Sequence, residues 1–134
     1  MRAFILISHG PLAQSMKESV QMIAGVHANL FTASLNYEDS PESFALKLAE
    51  LEPQLEVYKE IIIFSDLFGG SPGNTAVQRY LTDTRVTLIS GLNFPMILTA
   101  LLEIEADIPY LIQTGKDGII DVKTMLATMV DDDE

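Results

Sequence analysis

A chain of 134 residues is the size of one domain, and a hydrophobic content of 48% is enough to fill a core. A net charge of −11, with only 8 Lys and Arg together, argues against nucleic acid or an anionic membrane surface as partner and favours a basic protein face. With no cysteine and two histidines, neither a disulfide framework nor a metal site is expected, and no cofactor is implied.

In chain order, the run Ala3–Ile7 reads as a buried strand, stopped by Ser8-His9-Gly10-Pro11. It is too short for a signal peptide, and no stretch approaches the ~20 apolar residues of a membrane span, so a cytoplasmic location is expected. Leu12, Met16, Val20 and Ile23 follow at helical spacing, up to Gly25. Leu30–Leu35 is a second strand and Asn36–Ser40 a turn. Ser40-Pro41-Glu42 predicts a capped helix start, and Pro53 is expected to break or kink that helix.

The third strand, Ile61–Phe64, leads into Ser65-Asp66-Leu67-Phe68-Gly69-Gly70 and then Ser71-Pro72, read as N-cap and first helical residue of a helix running to about Leu81. Val86–Ile89 is a fourth strand, and after Ser90-Gly91-Leu92-Asn93 a helix begins at Pro95. Asp107-Ile108-Pro109 restarts a short helix that Gly115 should end. Ile119–Val122 is a candidate fifth strand, and Asp131–Glu134 an acidic, solvated tail beyond a single domain spanning 1–130.

Alternating strands and helices predict a doubly wound α/β fold, with helices on both faces of a mainly parallel sheet of order 2-1-3-4. That order sets the first and third strands side by side, and functional groups gather at the carboxyl ends of strands where the order reverses. Neighbouring strands lie ~4.8 Å apart, so His9 and Asp66 can touch there.

His9 is either an exposed loop histidine or the reactive group of this switch point, whereas His27 lies in a plain connection. Asp66 either caps a turn or orients His9, holding one ring N–H and stabilising the imidazolium when the other nitrogen attacks. Gly69-Gly70 before a helix start reads as an anion site, because the first N–H groups of a helix lack internal partners. Ser71 caps that helix and can also reach a bound phosphoryl oxygen; Phe68 is either exposed or packed on the helix.

Three motifs carry a resemblance: Ser8-His9-Gly10, then the run Asp66 to Asn74, then Ser90-Gly91-Leu92-Asn93-Phe94-Pro95-Met96. On these the chain resembles the IIA component of the mannose/sorbose family of the bacterial phosphoenolpyruvate-dependent sugar phosphotransferase system. The resemblance implies that His9 accepts a phosphoryl group from HPr and passes it to a separate IIB component, with IIC and IID membrane components acting further on. It implies that Asp66 holds the ring, that Gly69, Gly70 and Ser71 bind the phosphoryl oxygens, and that Phe68 and Asn93 dock partners. It also implies a homodimer in which the strand Ile119–Val122 is exchanged.

The residues agree on one point. None of the three arginines, Arg2, Arg79 and Arg85, lies in the motifs, which suits a carrier that must release its group. The phosphoryl-donor subunit of a dihydroxyacetone kinase is the alternative reading. A histidine phosphatase would need an arginine where Ser8 stands, and a purely regulatory docking module would carry no phosphoryl group.

Overall fold

The computed structural model describes residues 1–132. Its elements in order are β1 (Arg2–His9), α1 (Leu12–Ala24), β2 (Leu30–Leu35), α2 (Pro41–Leu55), β3 (Glu60–Ser65), α3 (Ser71–Tyr80), β4 (Val86–Ser90), α4 (Phe94–Leu102), α5 (Ile108–Asp117) and α6 (Val122–Asp132). The four strands form one sheet of order β2-β1-β3-β4, every pair parallel, as the alternation predicts.

Side-chain alternation divides the core in two. Phe4 and Leu6 of β1, with Ile62 and Phe64 of β3, pack against α1, α4 and α5 through Val20, Ile97 and Leu111. Ala3, Ile5, Ile7, Ile61 and Ile63 face the other way, onto Phe44 and Leu48 of α2 and Ala76 of α3. Burial on both faces explains why β1 and β3 read as continuous apolar runs rather than alternating ones.

Four sequence expectations need correction. Ile119–Val122 is not a strand: Asp121 accepts the Thr124 N–H on Oδ1 (3.2 Å) and the Met125 N–H on its carbonyl (3.0 Å), so Val122 opens α6. Three apolar residues have weak strand preference when no sheet edge pairs with them, whereas Lys-Thr-Met-Leu-Ala after a capping Asp favours helix. α6 runs on to Asp132, and the last two acids lie outside the described residues.

Gly115 does not end α5, which runs on to Asp117. It is there for close approach: a Cβ on it would stand 2.9 Å from Asn93 Nδ2 and 3.2 Å from Met96 Cβ. Pro53 lies in the last turn of α2, which ends two residues later at Leu55 instead of breaking at the proline. The N-cap of α3 is Gly70, extended at φ −79° and ψ 161°; Ser71 is the first helical residue and makes no capping bond.

Candidate functional site

His9 is the last residue of β1, paired with Leu35 of β2, and Asp66 follows β3 directly. The sheet order therefore brings the two together at the carboxyl pole. Asp66 Oδ2 accepts the His9 backbone N–H at 2.9 Å and lies 2.9 Å from His9 Nδ1. A carboxylate only accepts, so in the neutral ring the proton sits on Nδ1 and the lone pair on Nε2. The His9 side chain is 47% exposed and that of Asp66 only 12%, a buried carboxylate holding a ring that faces solvent. The second carboxylate oxygen, Oδ1, is buried and has no partner.

Two turns set this geometry. Gly10, at φ 59°, takes a left-handed conformation that lets the chain leave β1 and start α1 two residues later. Ser8, fully buried, accepts the Ala13 N–H on Oγ at 2.8 Å and donates to the Gly10 carbonyl at 3.1 Å. It caps α1 from inside the strand, a role that Pro11 at the helix N-cap cannot perform with its side chain. On the other strand, Ser65 Oγ lies 2.8 Å from Ser90 Oγ, and the Ser65 carbonyl accepts the N–H groups of Gly91 and Leu92. The turn-holding roles of Ser8 and Ser65 are not evident from the sequence, where a hydroxyl closing a buried strand is the one signal that marks them.

The loop 67–70 turns back over the histidine. Gly69 has φ 81°, a conformation that favours glycine. The Gly70 N–H closes on the Leu67 carbonyl, and Asn74 Nδ2 donates to the Gly69 carbonyl at 3.2 Å. A Cβ on Gly70 would stand 2.7 Å from His9 Cε1 and 3.3 Å from Nε2, so the ring lies directly on the Gly70 backbone. Gly73 is likewise buried, its missing Cβ 3.4 Å from Ser65 Oγ. The first helical hydrogen bond of α3 runs from the Asn74 N–H to Gly70; the amides of Ser71 and Gly73 precede it and have no helical acceptor. With the exposed Ser71 hydroxyl they make a compact set of donors at a helix end that favours negative charge.

Phe68 is 88% exposed, which decides between its two readings, and Leu67 beside it is also exposed. Asn93 holds the loop after β4 in place. It caps α4, accepting the Met96 N–H on Oδ1 at 3.1 Å, and donates to Gly91 at 3.3 Å. His27 lies at the opposite pole, beside a cleft of about 750 Å³ between Phe4, Val26 and Ile104, with Nε2 3.1 Å from the Ala24 carbonyl. The arginines are all committed elsewhere: Arg2 to Glu60 and Ala106, Arg79 to Glu52, and Arg85 to Asp83 and two backbone carbonyls.

The domain is thus a parallel α/β fold with a carboxylate-held imidazole at its switch point, beside a helix N-terminus, a geometry in which an imidazole can act as a nucleophile toward an anionic group. Residues 3–109 match the family model EIIA-man, described as PTS system fructose IIA component. The chain belongs to this family, the mannose/fructose/sorbose-type IIA components of the sugar phosphotransferase system.

The fructose-specific EIIA component of Bacillus subtilis is 28% identical over 101 residues, covering 75% of this chain and 69% of that protein. The mannose-specific EIIAB component of Escherichia coli K12 is 25% identical over 127 residues, 87% of this chain but only 38% of that relative's length. A mannose/sorbose-specific IIA subunit from Enterococcus faecalis superposes with a TM-score of 0.81 at 28% identity, covering 89% of this chain and 92% of that one. The IIA protein associated with a fucose utilization operon in Streptococcus pneumoniae gives 0.87 at 23% identity, covering 93% and 96%, a likeness of fold. No helix among the described residues is long and apolar enough to cross a membrane.

Proposed function

We propose that this protein is a phosphocarrier in which His9 Nε2 accepts a phosphoryl group from phospho-HPr and passes it to a IIB component. The observation that carries the reading is the pairing of His9 Nδ1 with Asp66 Oδ2, which leaves Nε2 as the free nucleophile beside the N-terminus of α3. Nε2 attacks phosphorus as the donor's P–N bond breaks, and the bonding pair leaves with the donor nitrogen. The positive charge that develops on the His9 ring faces the Asp66 carboxylate, while the amides and hydroxyl at Ser71 and Gly73 receive the phosphoryl oxygens. Transfer onward is the same step in reverse toward a new nitrogen. Weak neutral donors suit a group that must leave again, and the commitment of every arginine elsewhere supports this. Phe68 and the loop that Asn93 holds dock the protein partners. The test is phosphoenolpyruvate, Enzyme I, HPr and Mg²⁺ with this chain: one phosphoryl per chain is expected, and none would overturn the reading.

Gly70→Ala probes the fit of the ring. The φ of Gly70 is ordinary for alanine, so the new methyl strains no backbone and acts only by pushing against Cε1 and Nε2. A displaced nucleophile of this kind costs about 10²-fold in transfer rate. Rapid-quench transfer from phospho-HPr should read that loss with the melting temperature nearly unchanged; a wild-type rate would mean that the ring has room to move.

We also propose a homodimer held by the C-terminal segment. Val122, Met125, Leu126 and Met129 recur at helical spacing along α6 and are all exposed, and β4 is an open sheet edge. Covering both against a second copy supports a symmetric assembly. Light scattering should give a dimer for the full chain, and monomer or aggregate after truncation at Gly118. A truncated chain that remains a well-behaved dimer would refute this.

A further inference from the structure

We propose that the loop Asn36–Ser40 is a preformed docking element that presents Tyr37 to a basic and apolar rim around the phosphohistidine of the donor protein. This rests on the phosphocarrier reading above. Tyr37 is fully exposed, two residues beyond Leu35, the β2 residue paired with His9. The sheet order β2-β1-β3 therefore sets Tyr37 on one side of His9 and Leu67-Phe68 on the other.

The loop is rigidly held. Asp39 Oδ2 accepts the Asn36 N–H at 2.8 Å and the Lys47 ammonium at 2.5 Å, and Oδ1 accepts the Ser43 hydroxyl at 2.9 Å. The Asp39 N–H returns to the Asn36 carbonyl, and Lys47 also reaches the Ser34 carbonyl at 2.8 Å. Ser40 and Ser43 close a reciprocal capping box at the start of α2. The hydrogen bond from Lys47, followed by that from the Asn36 amide, holds the Asp39 carboxyl down at about 2, so the clamp stays ionised at working pH. None of these bonds involves the Tyr37 ring. The chain thus immobilises a backbone whose one large apolar side chain has nothing of its own to pack on.

An aromatic ring displayed on an ordered loop binds without a further ordering cost, and tyrosine is among the residues that dominate interface energies. Glu38 and Glu42 flank it, both exposed and in no ion pair among the described residues. A donor that already carries a phosphoryl dianion is repelled by a chain of net charge −11 unless its own rim brings positive charge. Lys or Arg there would meet the two glutamates and the face of Tyr37 together.

The experiment is steady-state transfer from phospho-HPr to wild type, Tyr37→Ala, Tyr37→Phe and Glu38→Gln/Glu42→Gln. Leu81→Ala, an exposed apolar residue at the other end of α3, is the control. Tyr37→Ala should raise the KM for phospho-HPr by about tenfold or more. Its kcat should stay within about twofold of wild type, because only binding is removed. The phenylalanine variant and the control should behave like wild type, and the double glutamine variant should show a weaker salt dependence of kcat/KM than wild type. An unchanged KM in Tyr37→Ala, with wild type fully labelled, would overturn the docking element alone, as would a fall in kcat at constant KM. Failure of wild type itself to be labelled would overturn the phosphocarrier reading and this inference with it.

Discussion

Alanine in place of His9 should leave a folded chain that takes up no phosphoryl group, whereas His27→Ala should take up the full amount. The His9 ring is half exposed and belongs to neither core cluster, so its loss removes little burial. The backbone N–H of residue 9 still reaches Asp66, so the end of β1 stays pinned. What disappears is the one nitrogen that has a fixed lone pair and a donor set beside it. His27 lacks the carboxylate and the helix-end donors: its ring hydrogen-bonds only the Ala24 carbonyl, through Nε2, at the far pole. Mass spectrometry after incubation with phosphoenolpyruvate, Enzyme I, HPr and Mg²⁺ should find one added group, stable in base and lost in acid, as a P–N bond requires. Label that survives His9→Ala, or that resists acid, would refute the assignment.

Much of this was readable from the chain because local and global signals agree. Runs such as Ile61–Phe64 can be satisfied only between two helical layers, and the strand–helix alternation then leaves few topologies. The His9–Asp66 pair was legible because strand order alone brings two strand ends together. The helix boundary lies one residue before the Ser-Pro signal, because a serine before a proline is the common cap while here Gly70 takes the extended conformation and frees the hydroxyl. Gly115 read as a stop because sequence does not distinguish a glycine that ends a helix from one that lets Asn93 and Met96 come close.

The C-terminal segment differs from its sequence pattern for a deeper reason. Ile119-Ile120 followed by Val122 has strand-like composition, but a strand exists only where another strand receives it. Within the described residues the chain supplies a capping aspartate and a helix instead. Nothing in the sequence marks Tyr37, because a turn of the type Asn-Tyr-Glu-Asp-Ser is ordinary and only the bonds converging on Asp39 distinguish this one.

Removing the Asp66 carboxylate should slow transfer steeply and leave the fold in place. Oδ2 receives both the backbone and the ring N–H of His9, so Asp66→Ala frees the ring to take either tautomer and leaves nothing to stabilise the imidazolium. Orienting and acid–base contributions of this kind amount to ~10²–10⁴-fold in rate. The stability side differs. Asp66→Ala loses the two hydrogen bonds that Oδ2 accepts, while Oδ1 has no protein partner to lose. The melting temperature should therefore fall modestly while transfer falls steeply. Asp66→Asn separates charge from position. Its amide oxygen can still accept both N–H groups, but it offers no negative charge, and its NH₂ enters the space where Oδ1 has no acceptor. Its transfer rate should lie between those of wild type and Asp66→Ala. Nitrogen NMR of the imidazole should show proton on Nδ1 in wild type and mixed tautomers in Asp66→Ala. An alanine variant that transfers within about twofold of wild type, far below the acid–base range, would reduce Asp66 to a turn residue.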